Sequence, residues 1–170
     1  MKNFFFHADD FGRSRNISKS INILIKKKII TSVSIIVSEK IYGLDYLKKY
    51  NIHKRLHLNL TDFSNKKKSN KFIYNLSFLK LCFLPFLPNF DDNKKKLREE
   101  ILRQINLYKK KINKKNIFID GHQHVQMIPW IFNILYDLKT KHNITNMRIP
   151  NEKFKLNNLN ILKFSICKNI

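Results

Sequence analysis

The sequence predicts a parallel α/β fold in a single domain over residues 1–170, and three observations predict it. Short, β-branched apolar runs alternate with segments of helical periodicity, the signature of βα units. Several of the strands so marked end at Asp, His or Arg, and in a parallel barrel the carboxyl ends of all strands open onto one face, where active sites lie. At 170 residues the chain is long enough to bury a real core, yet it falls well short of the roughly 250 residues of a complete eight-unit barrel.

Lys2 to Ala8, with Phe4, Phe5 and Phe6, reads as a buried first strand leading into HADDFG, His7 to Gly12. From Ser14 to Lys28 the apolar positions Ile17, Ile21, Leu24 and Ile25 recur at helical spacing, with Ser14 or Asn16 as the cap. Ile30 to Val37 is short and β-branched, a second strand, and Ile41 to Tyr50 follows as a helix. Leu56 to Leu60 is a third strand and carries His57. From Thr61 to Phe90 periodicity is lost in a segment rich in Phe and Leu, punctuated by Lys66 to Lys68, Pro85 and Pro88. Two readings stand for this long insertion after the third strand: a lid or binding loop over one face, or a short helix whose apolar side packs on the core.

Asp91 and Asp92 then cap a helix striped by Leu97, Ile101, Ile105, Tyr108 and Ile112. Ile117 to Ile119 is a fourth strand that runs into DGHQH. Pro129 opens a helix to about Lys141, at the position proline favours. Asn146 to Ile149 makes a fifth strand that delivers Arg148, ended by Pro150, and Leu159 to Cys167 is a candidate sixth element.

The net charge of +22 ordinarily points to nucleic acid or an anionic surface. Here Lys (28), Ile (24) and Asn (21) are raised together, whereas Arg, favoured for phosphate recognition, numbers only 6. All three raised residues have A/T-rich codons, so a lysine-covered solvated surface is expected, with no specific nucleic-acid partner. Two cysteines, Cys82 and Cys167, make neither a disulfide framework nor a zinc knuckle, and a reduced, cytoplasmic protein is expected. The N-terminus carries no signal-peptide pattern. No apolar run approaches the roughly 20 residues of a membrane span, and Leu76 to Leu87 is interrupted by Lys80 and Pro85.

Asp9, Asp10, His57, Asp120, His122, His124 and Arg148 all fall at or near predicted strand ends. A carboxylate buried beside a core needs a cation or hydrogen-bond donors opposite it. Two neutral imidazoles and a carboxylate make a three-ligand set for a divalent ion that leaves room for water and substrate. On an extended strand His122 and His124 would face the same way and Asp9 and Asp10 opposite ways, so that one aspartate can ligate while its neighbour does other work. A single histidine such as His57 is more often a core residue than a ligand; the coincidence of these residues at strand ends carries the metal reading. His7, His53 and His142 lack such companions in the sequence, and Arg148 could also serve as an ion-pair partner of Asp120 or Glu152.

HADDFG followed by Ser14, then TSVSIIV, HLNLT, DGHQHVQMIP and RIPNE, resembles in order and spacing the YdjC-like carbohydrate deacetylases, over about residues 3 to 152. The resemblance implies an irregular TIM-like (β/α) barrel, here incomplete at the C-terminus, and metal-dependent removal of acetyl from an N-acetylated mono- or oligosaccharide with magnesium or zinc. It implies Asp10, His57 and His122 as metal ligands, Asp9 as general base, and His124 and Arg148 lining the sugar site. Gln126 and Gly121 stand where the family carries His and Ser, and the family's later His-Pro-Gly segment does not occur in these residues. The alternatives are a truncated inactive relative, a basic binding module, a metal-dependent phosphoesterase on the same ligands, or a chain that closes its barrel as a homodimer.

Overall fold

A computed structural model describes residues 5–62 and 76–150. Its five strands are β1 (His7–Phe11), β2 (Ser32–Ile35), β3 (His53–Leu58), β4 (Ile117–Gly121) and β5 (Ile144–Met147). All are parallel, in the order β1-β2-β3-β4-β5. The helices are α1 (Arg15–Lys26), α2 (Leu44–Lys48), α3 (Phe78–Phe83), α4 (Phe90–Ile112) and α5 (Pro129–His142).

Period 2 in the strands sorts the two faces of the sheet. Val33, Ile35, Leu56, Leu58, Ile117 and Ile119 join one buried cluster with Ile21 and Ile25 of α1, Leu97, Ile101, Ile105 and Tyr108 of α4, and Ile131, Ile134 and Leu138 of α5. The alternate positions carry His7, Asp9, Ser32, Ser34, Arg55, His57 and Asp120. One face therefore buries hydrocarbon under the helices while the other is polar.

The polar face is concave. Strands lie about 4.8 Å apart, so β1 and β4 would be separated by roughly 14 Å across a flat sheet. Yet His7 Nε2 on β1 lies 3.5 Å from Asp120 Oδ2 on β4. Arg148, just beyond β5, reaches Asp9 on β1 at 3.1 Å. Side chains standing off a flat sheet cannot span such gaps; the sheet is curled. Among the described residues β1 pairs only with β2 and β5 only with β4, so the sheet is an open arc and not a closed barrel.

Several boundaries differ from expectation. The first strand starts at His7, and Phe5 and Phe6 before it are exposed at 79% and 59%. The third begins three residues early, at His53, and the fifth two residues early, at Ile144. Ser14 caps α1, its Oγ accepting the Ile17 N–H at 3.2 Å. Asp91 and Asp92 lie inside the first turn of α4; the cap is Asn89, left-handed and without a side-chain cap bond. Of the insertion, residues 63–75 lie outside the described residues, and the remainder matches the packed-helix reading: α3 buries Phe78 and Leu81, and the Trp130 indole N–H donates to the Leu81 carbonyl at 3.0 Å. The candidate element at Leu159 to Cys167 also lies outside the described residues. Among the described residues, no helix is long and apolar enough to cross a membrane.

Candidate metal and acid–base centre

The site begins with an irregularity in β1. Ala8 is in register with Val33, but Phe11 is in register with Ile35, so β1 holds one residue more than β2 over this stretch. The extra residue is accommodated by Asp10 at φ 64°, a left-handed conformation that aspartate tolerates better than most side chains. The bulge cancels the expected opposition of the two aspartates. Asp9 stays on the concave face with His7, and Asp10 is turned towards β3 and β4. Gly12 completes the turn at φ 91°, where a Cβ would meet the Ile36 carbonyl oxygen at 2.6 Å.

Asp10 Oδ1 lies 3.0 Å from His122 Nδ1 and 3.2 Å from His57 Nε2, and the two ring nitrogens are 3.4 Å apart. Both histidines are buried, while Asp10 is partly exposed. Ligand atoms about 2.0–2.2 Å from a zinc or magnesium ion at tetrahedral or octahedral angles lie roughly 3.0–3.5 Å from one another. The triangle fits that spacing. Asp10 Oδ1 is buried without an aligned hydrogen bond, and so is His57 Nδ1. The imidazoles of His122 and then His57 hold the Asp10 carboxyl well below the usual carboxylate range. Its outer oxygen, Oδ2, meets Arg13 at 3.2 Å, and Arg13 bonds in turn to Asp62 at 2.6 Å.

A second cluster adjoins the first. Asp120, 1% exposed, accepts from Ser34 Oγ at 2.8 Å and from Arg148 at 2.9 Å, with His7 Nε2 at 3.5 Å, all through Oδ2. Arg148 also holds both oxygens of Asp9, at 3.1 and 3.2 Å. Burial pushes Asp120 up, but the hydrogen bonds from His7, Arg148 and Ser34 outweigh it and its pKa lies low. Burial likewise opposes the lowering of Asp9, which His7 and Arg148 bring about. His7 moves the other way: burial would lower it, and the hydrogen bonds to Asp120 and Asp9 raise it.

The structure thus brings Asp10, His57 and His122 together, and Asp9 with Arg148 beside them. His124 is half-buried and outside both ligand clusters. The extended HQH expectation fails because β4 ends at Gly121: residues His122–Met127 form a 3-10 turn with Gln123 and His124 left-handed, so the two histidines are not two steps apart on a strand. Gln126, fully buried, donates its side-chain amide to the Arg148 carbonyl at 2.9 Å. A Cβ on Gly121 would sit 2.0 Å from Gln126 Oε1 and 3.0 Å from the Gln126 backbone nitrogen, so any larger residue there makes the Gln126 side chain shift. His7, Ser32 and Ser34 were not foreseen as site residues; the Ser32-Val33-Ser34-Ile35 alternation is the signal that marks a polar face on β2.

Fold and site together define an α/β protein whose parallel strands gather an Asp–His–His donor set and an ion-paired Asp at their carboxyl ends. The chain belongs to the YdjC-like protein family, whose pattern matches residues 3–166. It is 28% identical over 153 residues to a carbohydrate deacetylase of Xenopus laevis, an alignment covering 85% of this chain and 50% of the relative. With a carbohydrate deacetylase of Danio rerio it shares 25% identity over 152 residues, 85% of this chain and 49% of that one. The chain therefore spans about half the length of the curated relatives it matches. A crystal structure from Enterococcus faecalis V583, of a protein provisionally assigned to cellobiose-phosphate cleavage, superposes with a TM-score of 0.62 at 15% identity, covering 97% of this chain and 64% of that one, a likeness of fold.

Proposed function

We propose that the chain carries the metal-binding half-site and base of a hydrolase that removes the acetyl group from N-acetylated amino sugars. The observation that carries this reading is the donor triangle of Asp10, His57 and His122, with edges of 3.0, 3.2 and 3.4 Å. Family membership and relatives named as carbohydrate deacetylases support the choice of substrate. Asp10, His57 and His122 would hold a divalent cation, which when bound would supply Lewis acidity and lower the pKa of water.

The chain's own residues do the rest. Asp9 is the base: its side chain is 43% exposed and it stays ionised, the form that accepts a proton from the attacking water. Asp120 carries the same functional group but is sealed, 1% exposed, and committed to Ser34 and Arg148. Arg148 holds Asp9 in place and, with His124, lines the sugar side of the site.

Purified protein is expected to hold about one divalent ion per chain, and to release acetate from an N-acetylglucosamine disaccharide in a chelator-sensitive way. His57→Ala and His122→Ala should each lower metal content, measured by elemental analysis. Protein without stoichiometric metal, or variants with unchanged metal content, would overturn the proposal. Assaying phosphate release in parallel separates deacetylation from phosphoester hydrolysis.

A further inference from the structure

His7, Asp9 and Asp120 also bring three potential ligand atoms within 4.8 Å of one another. A second metal is the obvious thought, and the geometry argues against it. Arg148 already places a guanidinium nitrogen 2.9 Å from Asp120 and 3.1 and 3.2 Å from Asp9, so the positive charge that two carboxylates require is present. What remains unexplained is the histidine.

We propose that His7 is a positioning residue that fixes the carboxylate of Asp9. The inference rests on the assignment of Asp9 as the base. His7 Nε2 lies 2.9 Å from Ser34 Oγ, 3.0 Å from Asp9 Oδ1 and 3.5 Å from Asp120 Oδ2; ionised carboxylates only accept and Ser34 gives its proton to Asp120, so this nitrogen carries a proton that Ser34 Oγ and Asp9 Oδ1 share. The opposite nitrogen, Nδ1, is 2.7 Å from Ser32 Oγ. A hydroxyl can donate or accept, so the ring is held whichever protonation state it adopts. Ser34 Oγ, having given its own proton to Asp120, accepts from Nε2 and so holds the ring between β2 and the Asp9 carboxylate.

Backbone register makes this arrangement rigid. His7 pairs with Ser32 across β1 and β2, and it precedes Asp9 by two residues on the same face, before the bulge begins. Arg148 alone touches both oxygens of Asp9 through one nitrogen, which leaves the carboxylate free to turn about that contact. The His7 contact on Oδ1, from β1 itself, comes from another direction than Arg148 and fixes the orientation. Supporting residues of this kind act on the rate of the chemical step more than on substrate binding.

Three measurements on the full chain test this: steady-state acetate release, metal per chain, and the crystallographic position of the Asp9 carboxylate. His7→Ala is expected to lower kcat by about 10–100-fold with KM within about twofold, and to leave metal content unchanged. The Asp9 carboxylate should turn out of its His7-facing orientation. His7→Gln, whose amide nitrogen can occupy the Nε2 position, should recover most of the rate. Ser32→Ala, a milder change that keeps the ring but frees it, should lower kcat in the same sense if His7→Ala does not fold. A His7→Ala kcat equal to wild type, a His7→Gln rate no better than His7→Ala, or metal lost in step with kcat would overturn the proposal. If the wild-type chain releases no acetate, the deacetylase reading fails by itself, and an unmoved Asp9 carboxylate in the His7→Ala crystal structure would still overturn the positioning role.

Discussion

Arg148→Met isolates the ion pair that ties the end of β5 to β1 and β4. Methionine keeps an aliphatic stem of similar length and removes the charge. Losing one partner of a buried pair costs about 3–5 kcal/mol. Two features reduce that here. Asp120 keeps Ser34 at 2.8 Å and His7 at 3.5 Å, and Arg148 is itself 34% exposed. Asp9, 43% exposed, regains water and adds little. The expected loss is therefore about 2 kcal/mol at pH 7, which lowers the urea midpoint by roughly 1 M at an ordinary slope for this size. Asp120 is held below its unfolded value, so its stabilisation is complete above roughly pH 4 and is lost as pH falls through the folded value. Arg148→Met diminishes that depression, so its deficit against wild type should be full at pH 7 and shrink below about pH 4. Urea melts of both proteins in chelator, from pH 7 to pH 3, measure this. In an Asp120→Asn background the same substitution should cost less than half as much. A deficit under about 0.5 kcal/mol at pH 7, or one that does not change with pH, would refute the reasoning.

Three further outcomes follow from local geometry. Gly121→Ala should destabilise by about 1–3 kcal/mol, because the new methyl meets Gln126 Oε1 at 2.0 Å and its backbone nitrogen at 3.0 Å, and Gln126→Ala should relieve part of that in a double variant read by thermal melting. Tyr108→Phe should cost about 1–2 kcal/mol, since the hydroxyl donates to the Lys54 carbonyl at 2.7 Å from a fully buried ring. Burial raises the Tyr108 pKa, so its stabilisation is complete below about pH 10 and lost as pH rises beyond it; the phenylalanine variant should show a smaller alkaline loss in denaturant titrations at pH 9 and 11. Adding a chelator to protein loaded with divalent metal should lower the melting temperature of wild type but not of His57→Ala, as differential scanning calorimetry would register.

The strand–helix alternation and the gathering of Asp, His and Arg at strand ends were legible because each depends on local pattern, whereas the choice of Asp10, His57 and His122 among those residues came from the resemblance to the YdjC-like family. What was not legible depends on register. Nothing in the letters of HADDFG announces a bulge at Asp10, and without it the pleat sends Asp9 and Asp10 to opposite faces. His7 lacked companions in sequence because its companions come from elsewhere, Ser32 and Ser34 from β2 and Asp120 from β4, 113 residues away and brought within reach only by the curl of the sheet. The extended reading of DGHQH failed for a similar reason: β4 ends at Gly121, Gln123 and His124 turn left-handed, and the Gln126 side chain lies where a Cβ on residue 121 would be.

The bulge at Asp10 also determines what kind of sequence change this strand can absorb. Beyond it the alternation resumes with Phe11 beside Ile35 on the apolar face, fully buried. Exchange of Asp9 for another side chain alters one group and leaves the pleat as it is, whereas the left-handed backbone at position 10 favours Asp, Asn or Gly. Removal of a single residue between Ala8 and Phe11 does something different in kind: the strand must either give up its pairing with β2 or keep it with only one position between Val33 and Ile35, and then only one of the two aspartates can remain on the concave side. In this strand the length of the chain, more than the identity of its letters, keeps the carboxylate that faces His57 and His122 next to the one that faces His7 and Arg148. Length variation should accordingly be excluded from residues 8 to 11 even where substitution is tolerated.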